Sequence, residues 1–114
     1  MTSPVHIGLG LGALRHWHDG LGEFSRQLGL GLAREAPRLA QEHHWRLHFH
    51  LPRRWHGVFG PDVGYLATHT TQRVLHLRRT RFALWHTLHQ HLRLRAPLFT
   101  ERHIETVHDL NFLH

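Results

Sequence analysis

Apolar and polar residues alternate strictly along Trp45-Arg46-Leu47-His48-Phe49-His50-Leu51, with the apolar set at the odd positions. That is the period of a strand with one face against a core, and Pro52 stops it. Val5 to Leu11 is apolar enough for a buried strand and carries Gly8 and Gly10, with Gly12 just beyond. Interior glycines mark close approach of another backbone or a ligand. Between these strands the period changes. After the polar turn Arg15 to Gly22, in which Asp19 can cap a helix, Phe24, Leu28 and Leu32 recur at helical spacing from Leu21 onward, giving one apolar stripe. Gly29 and Gly31 inside that stripe cost about 1 kcal/mol each relative to alanine. They imply tight packing of the helix on its sheet, and Pro37 is expected to end or kink it soon after Glu35.

Beyond Pro52 the segment Arg53 to Asp62 holds Gly57, Gly60 and Pro61 and reads as a loop. Val63 to Thr68 reads as a third strand, Thr71 to Thr80 as a short basic helix, and Phe82 to Thr87 as a fourth strand. Leu88 to Pro97 is irregular, and Ile104 to Val107 is a fifth strand. Strands alternating with helices predict an α/β fold with a mainly parallel sheet covered on both faces. Right-handed crossovers restrict the order to a doubly wound type such as 3-2-1-4-5. The second-to-third and fourth-to-fifth connections carry no helical pattern, although a parallel crossover usually contains a helix.

Composition narrows the class. The 114 residues suit one domain, for which roughly 100–200 residues is usual. A hydrophobic share of 40% argues against wholesale disorder. No apolar run reaches the roughly 18 residues of a membrane span. No basic stretch precedes Val5 to Leu11, so a secretory signal is not expected. The absence of cysteine excludes disulfides, a zinc-thiolate centre and a thiol nucleophile, and fits a cytoplasmic setting. All fourteen basic residues are arginine against eight acids, for a net charge of +6, and sixteen histidines add a reserve of charge that titrates near pH 6.5. This balance suits an anionic partner such as nucleotide phosphates, nucleic acid or an anionic membrane surface. The arginines are spread along the whole chain, as a coding bias would also leave them.

In the order 3-2-1-4-5 the loops after strands one, four and five meet at the switch point, in the crevice beyond the carboxyl ends of the strands where ligands of open α/β sheets lie. Those loops hold Gly20-Leu21-Gly22, then His86-Thr87-Leu88-His89-Gln90-His91, then His108-Asp109. Glycines at a helix entrance let backbone amides approach an anion, and the helix dipole favours phosphate there; a plain tight turn uses the same residues. Gly20-Leu21-Gly22-Glu23-Phe24-Ser25 has serine at the third glycine of the dinucleotide fingerprint, and without lysine there is no GxxxxGK[ST] loop. His108 can orient a substrate hydroxyl or stabilise developing charge near neutral pH, or it can bond a backbone carbonyl while Asp109 caps a turn. The pairs His16/His18 and His48/His50 and the trio His86, His89 and His91 have spacings one metal could bridge. With no HExxH and no carboxylate–histidine set, no metal site is expected. Arg73, Arg78, Arg79 and Arg81 lie near Phe82 and Trp85, but those aromatics alternate as core residues do, so nucleic-acid binding is not expected.

Gly20-Leu21-Gly22-Glu23-Phe24-Ser25-Arg26-Gln27-Leu28 after a strand, with a helix running to Leu32-Ala33, resembles the opening of a family 4 (group 1) glycosyltransferase. Leu84-Trp85-His86-Thr87-Leu88-His89-Gln90 is similar to a stretch in some bacterial members. Thr106-Val107-His108-Asp109-Leu110-Asn111-Phe112 is similar to the family's histidine–aspartate strand end. The resemblance implies that residues 1–114 are the amino-terminal, acceptor-side Rossmann-like domain of a GT-B fold. The domain would be incomplete, and the carboxy-terminal nucleotide-sugar domain would be missing. It implies transfer of a sugar from a nucleotide-sugar to a glycan or lipid-linked acceptor, with retention and without a bound metal or other cofactor. His108 would contact the donor sugar, Asp109 would shape that loop, Gly20, Leu21 and Gly22 would lie near the donor phosphates, and His89 and Gln90 would line the acceptor side. The setting implied is the cytoplasm, with peripheral contact at the inner face of the membrane. A sheet edge left uncovered after Ile104 to Val107 would favour self-association. The alternative is a non-catalytic, basic His/Arg-rich binding module that uses Arg78, Arg79 and Arg81 for an anionic partner.

Overall fold

Val5–Gly10 (β1) and Trp45–Leu51 (β2) lie side by side and parallel, paired from Val5 with Trp45 to Gly10 with His50. Gly20–His43 (α1) forms the crossover between them. The structure, a computed structural model, describes residues 3–11, 20–73, 75–87 and 96–105, the side chains of 20–24, 70, 73 and 105 excepted. Gly64–Ala67 (β3) pairs with β2, Phe82–Thr87 (β4) with β1, and Arg102–Glu105 (β5) with β4, every pair parallel. The order is β3-β2-β1-β4-β5, the doubly wound order expected from the succession of elements. The result is an α/β domain on a five-stranded, all-parallel sheet, consistent with a Rossmann-like fold.

The alternation in β1 and β2 sorts residues to two faces. Leu9, Leu11, Leu47, Phe49 and Leu51 are buried in the main apolar cluster, with Ile7 at its margin. From α1, Ala36 is buried in this cluster, and Leu28, Leu30, Leu32, Ala33 and Leu39 pack on it. Leu28 and Leu32 thus keep the role their spacing predicts; the side chain of Phe24 lies outside the described set. The helix does not end at Pro37. It runs to His43, because Pro37 stands on the solvent side while Ala36 and Leu39, on either side of it, are held against the core. Arg38 pairs with Glu35 at 2.6 Å and with Glu42 at 2.9 Å, linking the turns across the proline. Tertiary burial therefore overrides a local penalty of about 3 kcal/mol. Pro37→Ala is expected to stabilise the fold by up to about 3 kcal/mol, read as a higher urea midpoint at unchanged slope. A lower midpoint would show that the proline is required.

His44 ends α1 in the left-handed conformation (φ 58°). Its N–H bonds Ala40 O at 3.1 Å, the arrangement of a left-handed helix cap. Its carbonyl accepts from Val5 N–H at 2.8 Å, tying the end of the helix to the start of β1.

The β2–β3 connection holds no α-helix, only a 3-10 turn at Arg53–Trp55. It covers the sheet with side chains instead. Phe59 is buried and meets Phe49 edge-to-face at 5.0 Å. Tyr65 Oη accepts from Phe59 N–H at 3.0 Å and donates to Gly60 O at 2.6 Å; Gly60 at φ 92° permits the reversal. A Cβ on Gly29 would come 2.6 Å from the Phe59 ring. The close approach expected of this helix is thus to the loop rather than to the sheet, and Gly31 has open space around its Cβ position.

Two further expectations change. Thr71 to Thr80 is not a helix: a 3-10 turn spans Thr70–Arg73, and residues 75–81 are without helix or strand. Along that stretch burial has period two, with His76 buried, Arg78 half-buried, and Leu75 and Leu77 exposed. The two leucines of that stretch therefore point outward. The fifth strand is Arg102–Glu105, beginning two residues before Ile104; Thr106 and Val107 lie outside the described residues. Among the described residues a single α-helix covers the sheet, and the second face is overlaid by Gln72, His76 and Arg78.

Candidate functional site

All five strands point the same way, so their carboxyl ends form one rim. Gly10 registers with Thr87 and Thr87 with Glu105, which puts the exits of β1, β4 and β5 side by side. A Cβ on Gly10 would come 3.4 Å from Thr87 Cα, close to ordinary van der Waals contact. Thr87 Oγ1 and His103 Nε2 share a hydrogen bond of 2.8 Å at this rim. Burial, and then the neighbouring His103, hold the His86 imidazole below its ordinary pKa, so it is a neutral donor–acceptor at physiological pH.

Of the residues predicted for the site, Gly20, Leu21 and Gly22 form the first turn of α1. They are helical rather than part of the preceding turn. The first N–H groups of a helix lack intrahelical partners, so their backbone remains suited to an anion. His89, Gln90, His108 and Asp109 lie outside the described residues, as do His16, His18 and His91. The parallel order accordingly brings together the strand exits that carry these residues, while the side chains themselves are not placed.

A second constellation was legible only in part. On the sheet face away from α1, the even positions of β2 bring His48 and His50 over β1 and β4. His6 Nδ1 and His48 Nε2 share a hydrogen bond at 2.8 Å, and Phe82 stands edge-on to His48 at 5.2 Å. His50 is 2% exposed and donates Nε2–H to Gln72 Oε1 at 2.7 Å. The tautomer follows from the backbone: His69 N–H also donates to Gln72 Oε1 at 3.1 Å, which fixes that atom as the carbonyl oxygen and the His50 nitrogen as the donor. The His50 ring stacks on His76 at 4.9 Å and meets Trp85 edge-to-face at 5.3 Å. His76 Nε2 accepts from Arg78 Nε at 2.8 Å, and Arg78 Nη2 also donates to Ala67 O at 2.9 Å.

Electrostatics on this face favour neutral rings. Burial first, and then His76, push the His50 imidazole down to about 3. Burial first, then His6 and Arg46, push His48 down to about 4. Strict alternation had indicated that His48 and His50 share a face; their partners, His6 and Phe82 for the one and Gln72, His76 and Trp85 for the other, lie 20 or more positions away, for which no local signal exists. Among the described residues no group of three or more His, Cys, Asp or Glu side chains is placed to hold a metal ion. No helix among them is long and apolar enough to cross a membrane.

No family model, no curated protein and no solved structure matches the chain.

Proposed function

We propose that this chain is the amino-terminal, acceptor-side part of a GT-B glycosyltransferase of the family 4 type. It would work in the cytoplasm, at the inner face of the membrane, on a nucleotide-sugar donor and a glycan or lipid-linked acceptor. The observation that supports the reading is the adjacency of the β1, β4 and β5 exits, with Gly10, Thr87 and Glu105 in register. A donor lying across that rim would meet the first turn of α1 with its phosphates and the residues after β5 with its sugar. In this scheme amides of Gly20, Leu21 and Gly22 sit beside phosphate, His108 orients and polarises at the donor sugar, Asp109 shapes the loop, and His89 and Gln90 line the acceptor side. Neither metal nor cofactor takes part. The nucleotide pocket belongs to a second domain, without which residues 1–114 turn over no substrate, and the edge of β5 offers a route to self-association.

In the protein joined to that second domain, His108→Ala is expected to lower sugar transfer by about 100-fold or more, with thermal unfolding unchanged. Transfer at the wild-type rate would remove His108 from the mechanism.

Exposed Arg79 and Arg81, next to exposed Leu75 and Leu77, favour a second reading, a basic binding module. Arg78 is turned inward on His76 and Ala67 O and is not available to such a surface. Polyanion binding that weakens steeply with salt, and that Arg79→Gln with Arg81→Gln abolishes, would select this reading.

A further inference from the structure

The second face of the sheet is closed by a short segment held on imidazoles. Among the described residues the closure is fastened by Gln72 Oε1 accepting from His50, Gln72 Nε2 donating to Ala67 O at 3.4 Å, Arg78 bonding Ala67 O, Leu98 N–H donating to His76 O, and the stack of His76 on His50. Beneath it lies Trp85, with His76 edge-on at 5.5 Å. We propose that Gln72 and residues 75–78 form an acid-operated latch, which lifts from the sheet when the His50 imidazole beneath it takes up a proton and thereby uncovers Trp85.

The surroundings of His50, the ring that the segment touches, make protonation unfavourable in the closed state. Facing His50 are Gln72, His76 and Arg78 from the latch, Trp85 from β4 and the backbone of Ala67 on β3, while its register neighbours are Gly10 on β1 and Leu66 on β3. The bonds with Gln72 and Ala67 favour the charged ring and are outweighed by burial and the neighbouring cations. Facing His48 are His6 on β1 and Phe82 on β4, with Gly64 its register partner on β3 and Arg46 on its own strand. The charged and titratable groups in these sets are all arginine or histidine. A proton placed on His50 is therefore desolvated and set near the Arg78 guanidinium, with no carboxylate of the described residues among the groups acting on it. Its stacking partner His76 already accepts from Arg78, and its own Nε2–H is used on Gln72, so a second ring proton would have to enter on Nδ1.

The sign follows from linkage. The closed state holds His50 at about 3 against an ordinary 6.5, so only the open state binds the proton between those values. Opening is promoted as pH falls below about 6.5. At pH 5 the opening equilibrium is raised about 30-fold over neutral pH by His50 alone.

Hydrogen exchange with mass spectrometry on the 114-residue chain, corrected for the intrinsic pH dependence of exchange, tests the latch. At pH 5 against pH 7.5 the amides of residues 72–78 and the Leu98 amide, which bonds His76 O at 2.7 Å, are expected to lose protection about 30-fold, while α1, β1 and β2 keep theirs. His50→Gln, which retains an amide donor for Gln72 and cannot be protonated, is expected to flatten the response. Protection of 72–78 that is independent of pH, or loss of protection by all elements together, would overturn the proposal. So would an undiminished response in His50→Gln. Should that variant fail to fold, an NMR titration of the His50 ring in the wild-type chain takes its place, and a ring that titrates near its ordinary value of about 6.5 with the amide signals of 75–78 unchanged would count against the latch in the same way.

Discussion

Phe49→Ala is expected to lower the unfolding free energy by about 3–5 kcal/mol, the range for truncating a buried phenylalanine. Phe49 is fully buried at the centre of β2. Its ring is held edge-on by Phe59 at 5.0 Å and by Tyr65 at 6.5 Å. Those two rings are fixed in turn, Tyr65 by its bonds to Phe59 N–H and Gly60 O and Phe59 by its close fit over Gly29. The neighbours cannot collapse into the space without giving up these bonds, so the cavity term is kept in full. A small domain has only about 5–15 kcal/mol in hand, so the variant should unfold at a much lower urea concentration with its slope unchanged. A loss below about 1 kcal/mol would mean that the β2–β3 loop does not close over the sheet as described.

Trp85→Ala is expected to destabilise by a similar amount, about 3–5 kcal/mol, for a different reason. Trp85 is 1% exposed and fills the second face, edge-on to Phe82 at 5.1 Å and to His50 at 5.3 Å. It shares that face with Phe82 although they are three positions apart, because the register slips between His6 and Ile7: His6 pairs with Phe82 and Ile7 with Leu84. One residue of β4 is left over, as in a β-bulge. The ring then lies over β1, where a Cβ on Gly8 would run into Cε3 of Trp85. Gly8→Ala should therefore cost about 1–3 kcal/mol in the wild-type chain through overpacking and very little once Trp85 is alanine. The coupling in this double-mutant cycle is expected to reach about 1–3 kcal/mol. Additive effects would show that the glycine is not there for the ring.

The strands were the most legible part of the fold. β1, β2 and β4 lie where the apolar patterns set them, to within a residue, because a sheet buried on both faces imposes period two or a continuous apolar run on the residues themselves. The helix after β1 was legible in its apolar stripe and illegible at Pro37, since local propensity is overridden by the burial of Ala36 and Leu39, which no local pattern encodes. The stretch after Thr70 misled for the same reason. Leu75 and Leu77 look like core in sequence, and they are exposed because His76 and Arg78 take the inward positions. For the candidate site, the topology that joins three strand exits was inferred from crossover rules, whereas His89, Gln90, His108 and Asp109 lie outside the described residues and their geometry rests on resemblance.

Period and connectivity, read from the chain alone, determined the positions of β1, β2 and β4, which residues of β2 share a face, and a doubly wound type of strand order, because each of these follows from local stereochemistry and from how far a crossover can reach. Only the tertiary structure decided what lies against those faces: Phe59 over Gly29 on one, and Gln72, His76 and Arg78 over His50 on the other. Partners so far apart along the chain leave no period in it, and the neutral, single-tautomer state of a buried histidine is set by such partners rather than by its neighbours in sequence.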